Sequence, residues 1–286
     1  MQFVGNKEQK ENVAVMRNQI LNTCLCDHQI GLFYIGQVGY IIKYQNQYYM
    51  IDAYLSDYVD RNCCTDEVKW ERNYPAPILP EELDFIDYVF CTHAHFDHTD
   101  PDTLRTLAQI NKKAKCIMPA SEADVLLDYG IPGEQIIRAN VSEKLTLGTA
   151  IVTPIASAHE QLNQDNNGGF REMGYRFCFG ECVVYHAGDC CIYDGLAKSL
   201  GKLDIAMLPV NGRDYYRLSR DIIGNMTAPE AIELAEETQA ELLIPMHFDL
   251  YDCNGISAIS FVDAHQRAKS KIPYHIFQPG EKYIFG

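Results

Sequence analysis

Beyond residue 30 the chain reads as short apolar runs separated by turn-forming residues, and the period of those runs switches between strand and helix. Residues 31–36 and 39–44 pattern as strands, and 47–52 follows across a Gln45-Asn46 turn, so the series begins with a hairpin. An apolar segment over 86–91, broken by Asp87, runs into a polar stretch and then Asp100-Pro101, a helix start with Asp as N-cap and Pro as first helical residue. The spacing then predicts a helix over 101–112, a strand over 115–118 and a second helix capped by Ser121 and ending at Gly130. Strands follow near 135–138, 144–147, 150–155, 174–179 and 182–186. The remainder predicts a helix near 192–200, a strand over 204–210 and a helix over 228–239 opened by the capping box Thr227-Ala-Pro-Glu230. A strand over 242–246, a helix near 257–270 and end strands over 275–278 and 282–285 close the chain.

Other stretches fall outside this alternation. Residues 7–27 carry Val13, Met16, Ile20 and Cys24 at spacings of three and four, an amphipathic helix within an extension over 1–30 that precedes one domain over 31–286. That helix suits either the domain's own surface or a second subunit, which would make a homo-oligomer. Residues 55–80 have no clean period, and their Trp70 and Arg72 either border a pocket or pack the loop. Residues 161–169 and 211–226 are polar loops. No linker, low-complexity tract or solenoid-period repeat interrupts the chain, so two strand-rich halves with helices outside make an α/β domain.

Composition narrows the function. An apolar fraction of 47% and a charged fraction of 22% are those of a globular protein. The net charge of −15 argues against a general nucleic-acid binder or a basic membrane-surface protein. No apolar run approaches the ~20 residues of a membrane span, and the opening residues lack a signal-peptide core, so a cytoplasmic protein is expected. The eleven cysteines are odd in number and include no C-x-x-C, which reads as reduced thiols and not as a zinc ribbon.

The chemistry concentrates in Thr92-His-Ala-His-Phe-Asp-His-Thr-Asp100, where His93, His95, Asp97 and His98 put four potential metal ligands within six residues, on a strand-to-helix loop. Further polar residues fall where later strands end: His159 after 150–155, Gly188-Asp189 after 182–186, and His247 after 242–246. His186 reads as a packing or hydrogen-bonding residue, and His28, His265 and His275 as structural. No G-x-S-x-G, phosphate loop or G-x-G-x-x-G is present.

This series, H-x-H-x-D-H, a lone His, G-D and a last His, resembles the metallo-β-lactamase superfamily over nearly the whole chain from Gly31 onward. The resemblance implies a four-layer αββα sandwich and a binuclear metallo-hydrolase. His93, His95 and His159 would hold one ion, Asp97, His98 and His247 the other, and Asp189 would bridge them. Asp97 and Asp189 would be catalytic. The two divalent ions would be zinc first, with manganese or iron as alternatives, sharing a hydroxide that attacks a carbonyl or phosphoryl group. Within the superfamily the chain is similar to the L-ascorbate-6-phosphate lactonase branch, through 33–36, 39–42 and 50–52, the run over 80–100, Tyr185-His-Ala-Gly-Asp189 and Ile244-Pro-Met-His247. It departs from that branch in being shorter and in carrying His159.

Substrate residues are sought in the loop over 211–220. Arg213, Arg217 and Arg220 suit either a phosphate or carboxylate of the substrate or weak surface pairs with Asp214 and Asp221, Tyr215 and Tyr216 suit the walls of a sugar-sized site, and Asn211 and Asn225 could join them. The expected substrate is a small anionic lactone or ester. A phosphodiesterase or nuclease of the same fold, and a non-hydrolytic binding or sensing protein, are the alternatives; the acidic balance counts against long nucleic acids.

Overall fold

A computed structural model describes residues 7–286 and, within the first helix, side chains from Val15 onward. The strands are β1 (Ile30–Gly36), β2 (Gly39–Tyr44), β3 (Gln47–Ile51), β4 (Tyr88–Phe90), β5 (Lys115–Pro119), β6 (Ile136–Ala139), β7 (Leu145–Leu147), β8 (Ala150–Ala156), β9 (Ala158–His159), β10 (Gln161–Leu162), β11 (Met173–Phe179), β12 (Cys182–His186), β13 (Ile205–Pro209), β14 (Leu242–Met246) and β15 (Lys282–Phe285). The helices are α1 (Lys7–Asn22), α2 (Tyr58–Asn62), α3 (Pro101–Ile110), α4 (Val125–Asp128), α5 (Leu196–Leu200), α6 (Tyr215–Leu218), α7 (Ala228–Glu237) and α8 (Ala258–Ala268).

Two sheets face each other. One has the order β15-β1-β2-β3-β4-β5-β6 and the other β14-β13-β12-β11-β8-β7. Leu32, Tyr34, Tyr49 and Ile51 of the first pack on Val152, Tyr175, Phe177 and Met207 of the second. Phe33, Ile35, Met50 and Val89 turn the other way, onto Met16 and Ile20 of α1 and Leu104 and Leu107 of α3. Tyr185, Ala206, Leu208 and Leu243 likewise meet Leu196 of α5, Ile232 of α7 and Phe261 of α8. With both faces covered, the strands are apolar at successive positions, and the architecture is the four-layer αββα sandwich.

Strand direction positions the site. β3, β4, β5 and β6 run parallel, as do β12, β13 and β14, so within each group the C-terminal ends share an edge. Asp100 caps α3 by accepting from Asp102 N, and Thr227 and Glu230 form the capping box of α7.

Several elements differ from the pattern. Ser121 donates to the Phe170 carbonyl at 2.7 Å, so it caps nothing and α4 shrinks to Val125–Asp128. The expected end strand over 275–278 does not form; just before it Tyr274 makes a single bridge with Leu243. The loops over 55–80 and 211–226 each hold a short helix, α2 and α6. Met16 and Ile20 pack on the domain's own outer core, and buried Lys43 donates to the Ile20 and Leu21 carbonyls at the end of α1. Cys24 lies beyond the helix and is exposed, so it leaves the apolar stripe; Val13 lies outside the described side chains. Among the described residues no helix is long and apolar enough to cross a membrane.

Candidate metal centre

The loop after β4 carries His93, His95, Asp97 and His98; β9 brings His159, the turn after β12 brings Asp189, and the end of β14 brings His247. Their ligand atoms fall into two groups. His93, His95, His159 and Asp189 each offer an atom within 4.8 Å of the others, and so do Asp97, His98 and His247. His159 Nε2 and His95 Nδ1 lie 3.2 Å apart. Asp189 faces both groups: its Oδ1 is 3.3 Å from His98 Nε2 and from His247 Nε2, and its Oδ2 is 3.8 Å from His159 Nε2. Asp97 Oδ2 stands 3.6 Å from His98 Nε2 and 3.7 Å from His247 Nε2.

These residues fit divalent ions on two counts. His93 Nε2, His98 Nε2 and Asp189 Oδ1 are buried without a hydrogen-bond partner, a costly condition that a bound cation would relieve. Ligand atoms at the corners of a tetrahedron with edges like those around Asp189 Oδ1 and Asp97 Oδ2 lie about 2.0–2.3 Å from its centre, close to zinc–nitrogen and zinc–oxygen bond lengths.

Buried Asp52, at the end of β3, orders ligands of both groups. Its Oδ2 faces His98 Nδ1 at 2.8 Å and accepts from Thr92 Oγ1 at 2.7 Å, while Oδ1 accepts from Thr92 N at 2.8 Å. The Thr92 hydroxyl thus donates its one proton to the hydrogen bond with Asp52, so it must accept from His93 Nδ1, 3.0 Å away. The network assigns Nδ1–H to both His93 and His98 and leaves each Nε2 lone pair facing the site. His186 donates from Nε2 to the Val38 carbonyl at 2.7 Å and accepts the Gly188 N–H at Nδ1, so it braces the turn carrying Asp189 and is not a ligand. His265 and His275 have partners elsewhere, Ile272 O and Glu281.

The backbone is bent to present these groups. Asp52 (φ 44°) and His247 (φ 59°) occupy the left-handed region, held by their N–H bonds to Phe90 O and Gln37 O. Gly188 has φ 61°, and a Cβ there would meet Thr92 Oγ1 at 2.6 Å and Thr92 Cβ at 2.7 Å. Gly188→Ala is therefore expected to cost about 2–4 kcal/mol through strain and overpacking, lowering the melting temperature by roughly 3–7 °C in calorimetry. An unchanged melting temperature would contradict that packing.

Proton affinities divide along the same line as the geometry. Burial, with the neighbouring imidazoles of His98 and His95, holds His93 well below the usual histidine range, and burial takes His159 down to about 4. For His98 and His247 burial acts in the same direction, but the Asp189 and Asp97 carboxylates outweigh it and raise both. Asp189 is in turn held well below the carboxylate range, because His247 and His98 outweigh its burial.

A cleft of about 310 Å³ opens beside His95, Asp97, His159, Asp189 and His247. Its walls are Val59, Cys63 and Trp70 from the 55–80 loop, Ala94 and Phe96, and Asp221, Ile222 and Ile223 from the 211–226 loop; Asn254 completes it, and no lysine or arginine among the described residues lines it. Both loops expected to border the site do so, but through other side chains. Arg213 is tied to Glu230 and the Asn225 carbonyl. Arg217 is buried on Asp214, Asn254 and the Gly255 carbonyl. Arg220 stacks over Tyr216, 4.2 Å from its centroid. Tyr215 is 83% exposed and Tyr216 lines a separate groove with Arg72. Asn211 is buried between Asn225 and Asn254. The reason is local: Asp214 caps α6 and, with Glu230, supplies carboxylates that claim the arginines before a ligand can. Ile222 and Ile223 escape sequence reading because neither belongs to a motif, and Asp52, though within the 50–52 stretch, carries no sign in the sequence of its place beside Thr92 and His98.

Seven clustered histidines and aspartates that could hold metal, on one edge of an αββα sandwich, define a metallo-hydrolase type of scaffold. The chain belongs to the beta-lactamase superfamily domain family, whose model matches residues 47–248. It is 28% identical over 217 residues to a metal-dependent hydrolase of Methanoculleus marisnigri, covering 74% of this chain and 86% of that one. In fold it is similar to an isothiocyanate hydrolase from Delia radicum gut bacteria, with a TM-score of 0.71, 17% identity and coverage of 89% of this chain and 99% of that one. It is also similar to CmlA, a diiron β-hydroxylase of Streptomyces venezuelae, with a TM-score of 0.64, 15% identity and coverage of 92% and 55%. One fold thus supports both hydrolysis and oxidation, and the reaction must be argued from the site.

Proposed function

We propose that the protein is a binuclear metal-dependent hydrolase that cleaves lactones or esters of small molecules. The observation that carries this is Asp189, whose two carboxylate oxygens face the two ligand groups separately. His93, His95 and His159 would hold one ion and Asp97, His98 and His247 the other. Four ligands rich in imidazole on the first side favour zinc over manganese or iron, and the redox-inert zinc favours hydrolysis over oxidation. Bound there, the ions would polarise a carbonyl and acidify a water molecule.

The chain's own residues supply the rest. Asp97 keeps 19% of its side-chain surface exposed beside the cleft, so it can orient the attacking water and take its proton. Val59, Trp70, Phe96, Ile222 and Ile223 give the cleft apolar walls that exclude bulk water and receive the body of the substrate. With Arg213 and Arg217 engaged elsewhere, that body is better served by an uncharged group than by the phosphorylated sugar the loop sequence suggests. The same absence of lysine and arginine, with the net charge of −15, disfavours a nuclease.

A panel of neutral lactones and short esters, a phosphorylated lactone and a phosphodiester, assayed with zinc-loaded protein, tests this. The neutral lactones and esters should exceed the phosphorylated one by at least about tenfold in kcat/KM, and a chelator should abolish turnover. Turnover of the phosphodiester alone, or turnover indifferent to chelation, would refute the reading.

A further inference from the structure

A residue outside the metal-ligand motifs sits among the ligands. Gln37 lies in the turn between β1 and β2 with φ 59° and is 2% exposed. Its Nε2 is 2.9 Å from Asp97 Oδ2 and 3.3 Å from His247 Nε2. The backbone beneath it is fixed on both sides. Its carbonyl accepts from the His247 N–H at 3.2 Å and from the Tyr34 hydroxyl at 3.1 Å. Its N–H donates to the Tyr74 hydroxyl at 3.1 Å. The Tyr74 hydroxyl donates to Asp249 Oδ1, two residues beyond His247, at 2.7 Å, and the Tyr34 hydroxyl lies 3.1 Å from the same oxygen.

The arrangement is specific to one half of the site. Asp97 and His247 arrive from different sheets, and the Gln37 amide lies within hydrogen-bond distance of both. Asp97 is also a partly exposed ligand of its group, whereas the side chains of His98 and His247 are 0% and 2% exposed. Burial holds both imidazoles, and Asp52 also fixes His98 through Nδ1, but the partly exposed carboxylate needs a donor to keep it from turning into the cleft. No polar contact joins Gln37 to His93, His95 or His159 among the described residues.

We propose that Gln37 is a positioning residue for the ion of the Asp97–His98–His247 group: its amide N–H holds Asp97 Oδ2 against His247 and thereby sets that group's metal affinity. The proposal rests on the binuclear reading above. Outer partners of metal ligands typically change affinity by about 10–100-fold when removed, and here the loss should fall on one ion of the two.

The test is a zinc titration of the full-length metal-free protein against a chromophoric chelator, for wild type, Gln37→Met and Gln37→Asn. Methionine keeps the bulk and the backbone contacts without the donor. Asparagine keeps an amide and suits the left-handed backbone but ends one methylene short. Wild type should take up two equivalents. In both variants one equivalent should bind within about twofold of wild type and the other about 10–100-fold more weakly, with the metal-free melting temperature little changed. Should Gln37→Met fail to fold, Gln37→Asn carries the same expectation. Two equivalents bound with wild-type affinity would overturn the role of Gln37 while leaving the binuclear reading intact. So would equal weakening of both equivalents, which marks a general structural role. Uptake of fewer than two equivalents by wild type would instead overturn the binuclear reading, and this proposal with it.

Discussion

Asp189→Asn is expected to lower kcat/KM for the best ester or lactone by at least about 100-fold, beyond the range seen for outer partners of metal ligands, and to reduce zinc content. The substitution barely alters shape, so the effect isolates charge and donor type. In the wild type, Oδ1 faces His98 and His247 at 3.3 Å and Oδ2 faces His159 at 3.8 Å, so one ionised carboxylate serves both groups. An amide offers one neutral oxygen, and its nitrogen would turn hydrogens toward whichever group it faces. Both ions should therefore bind more weakly, which distinguishes this variant from those at Gln37. The check is metal analysis beside steady-state kinetics on the same preparation. Wild-type zinc content with wild-type kcat/KM would remove Asp189 from the mechanism.

The second large effect is expected at Asp52, where two substitutions should separate function from stability. Asp52 accepts from Thr92 N, Thr92 Oγ1 and His98 Nδ1, all buried. In Asp52→Asn the amide can still accept the Thr92 N–H, but its NH2 then faces His98 Nδ1. That reverses the tautomer and puts a proton on Nε2, the atom needed for a metal. Turnover should fall roughly 10²–10⁴-fold, between the loss typical of outer partners of metal ligands and that of a catalytic histidine held in the wrong tautomer. Asp52→Ala instead leaves the buried donors without an acceptor, a destabilisation of about 3–5 kcal/mol. Urea unfolding and kinetics on both variants decide the matter. An asparagine variant with wild-type zinc affinity and turnover would contradict the assigned tautomers.

The ligand series was legible because each member is a histidine or aspartate placed just after an apolar run, at the helix signal Asp100-Pro101 or the turn glycine Gly188. Strand period and cap chemistry are local properties, so they survive in a single sequence. Asp52 and Gln37 were not legible as site residues, although each also ends a strand. An isolated aspartate or glutamine at a turn is common, and only the parallel pairing of β3 with β4 brings Asp52 to Thr92 and His98. The arginines misled for a related reason. Their planar guanidinium groups suit an anionic ligand, but Glu230, whose capping role was visible, also takes Arg213, and Asp214 takes Arg217. Which partner wins depends on distances that no sequence pattern encodes. Likewise the apolar cleft wall comes from Ile222 and Ile223, in a loop whose notable residues were all polar.

The central claim, two ions joined by Asp189, is tested most directly by anomalous diffraction from crystals of the zinc-saturated protein. Two anomalous peaks are expected about 3.5–4 Å apart, one against His93, His95 and His159, the other against Asp97, His98 and His247, with Asp189 touching both. A single peak, or two peaks that do not share Asp189, would contradict the account.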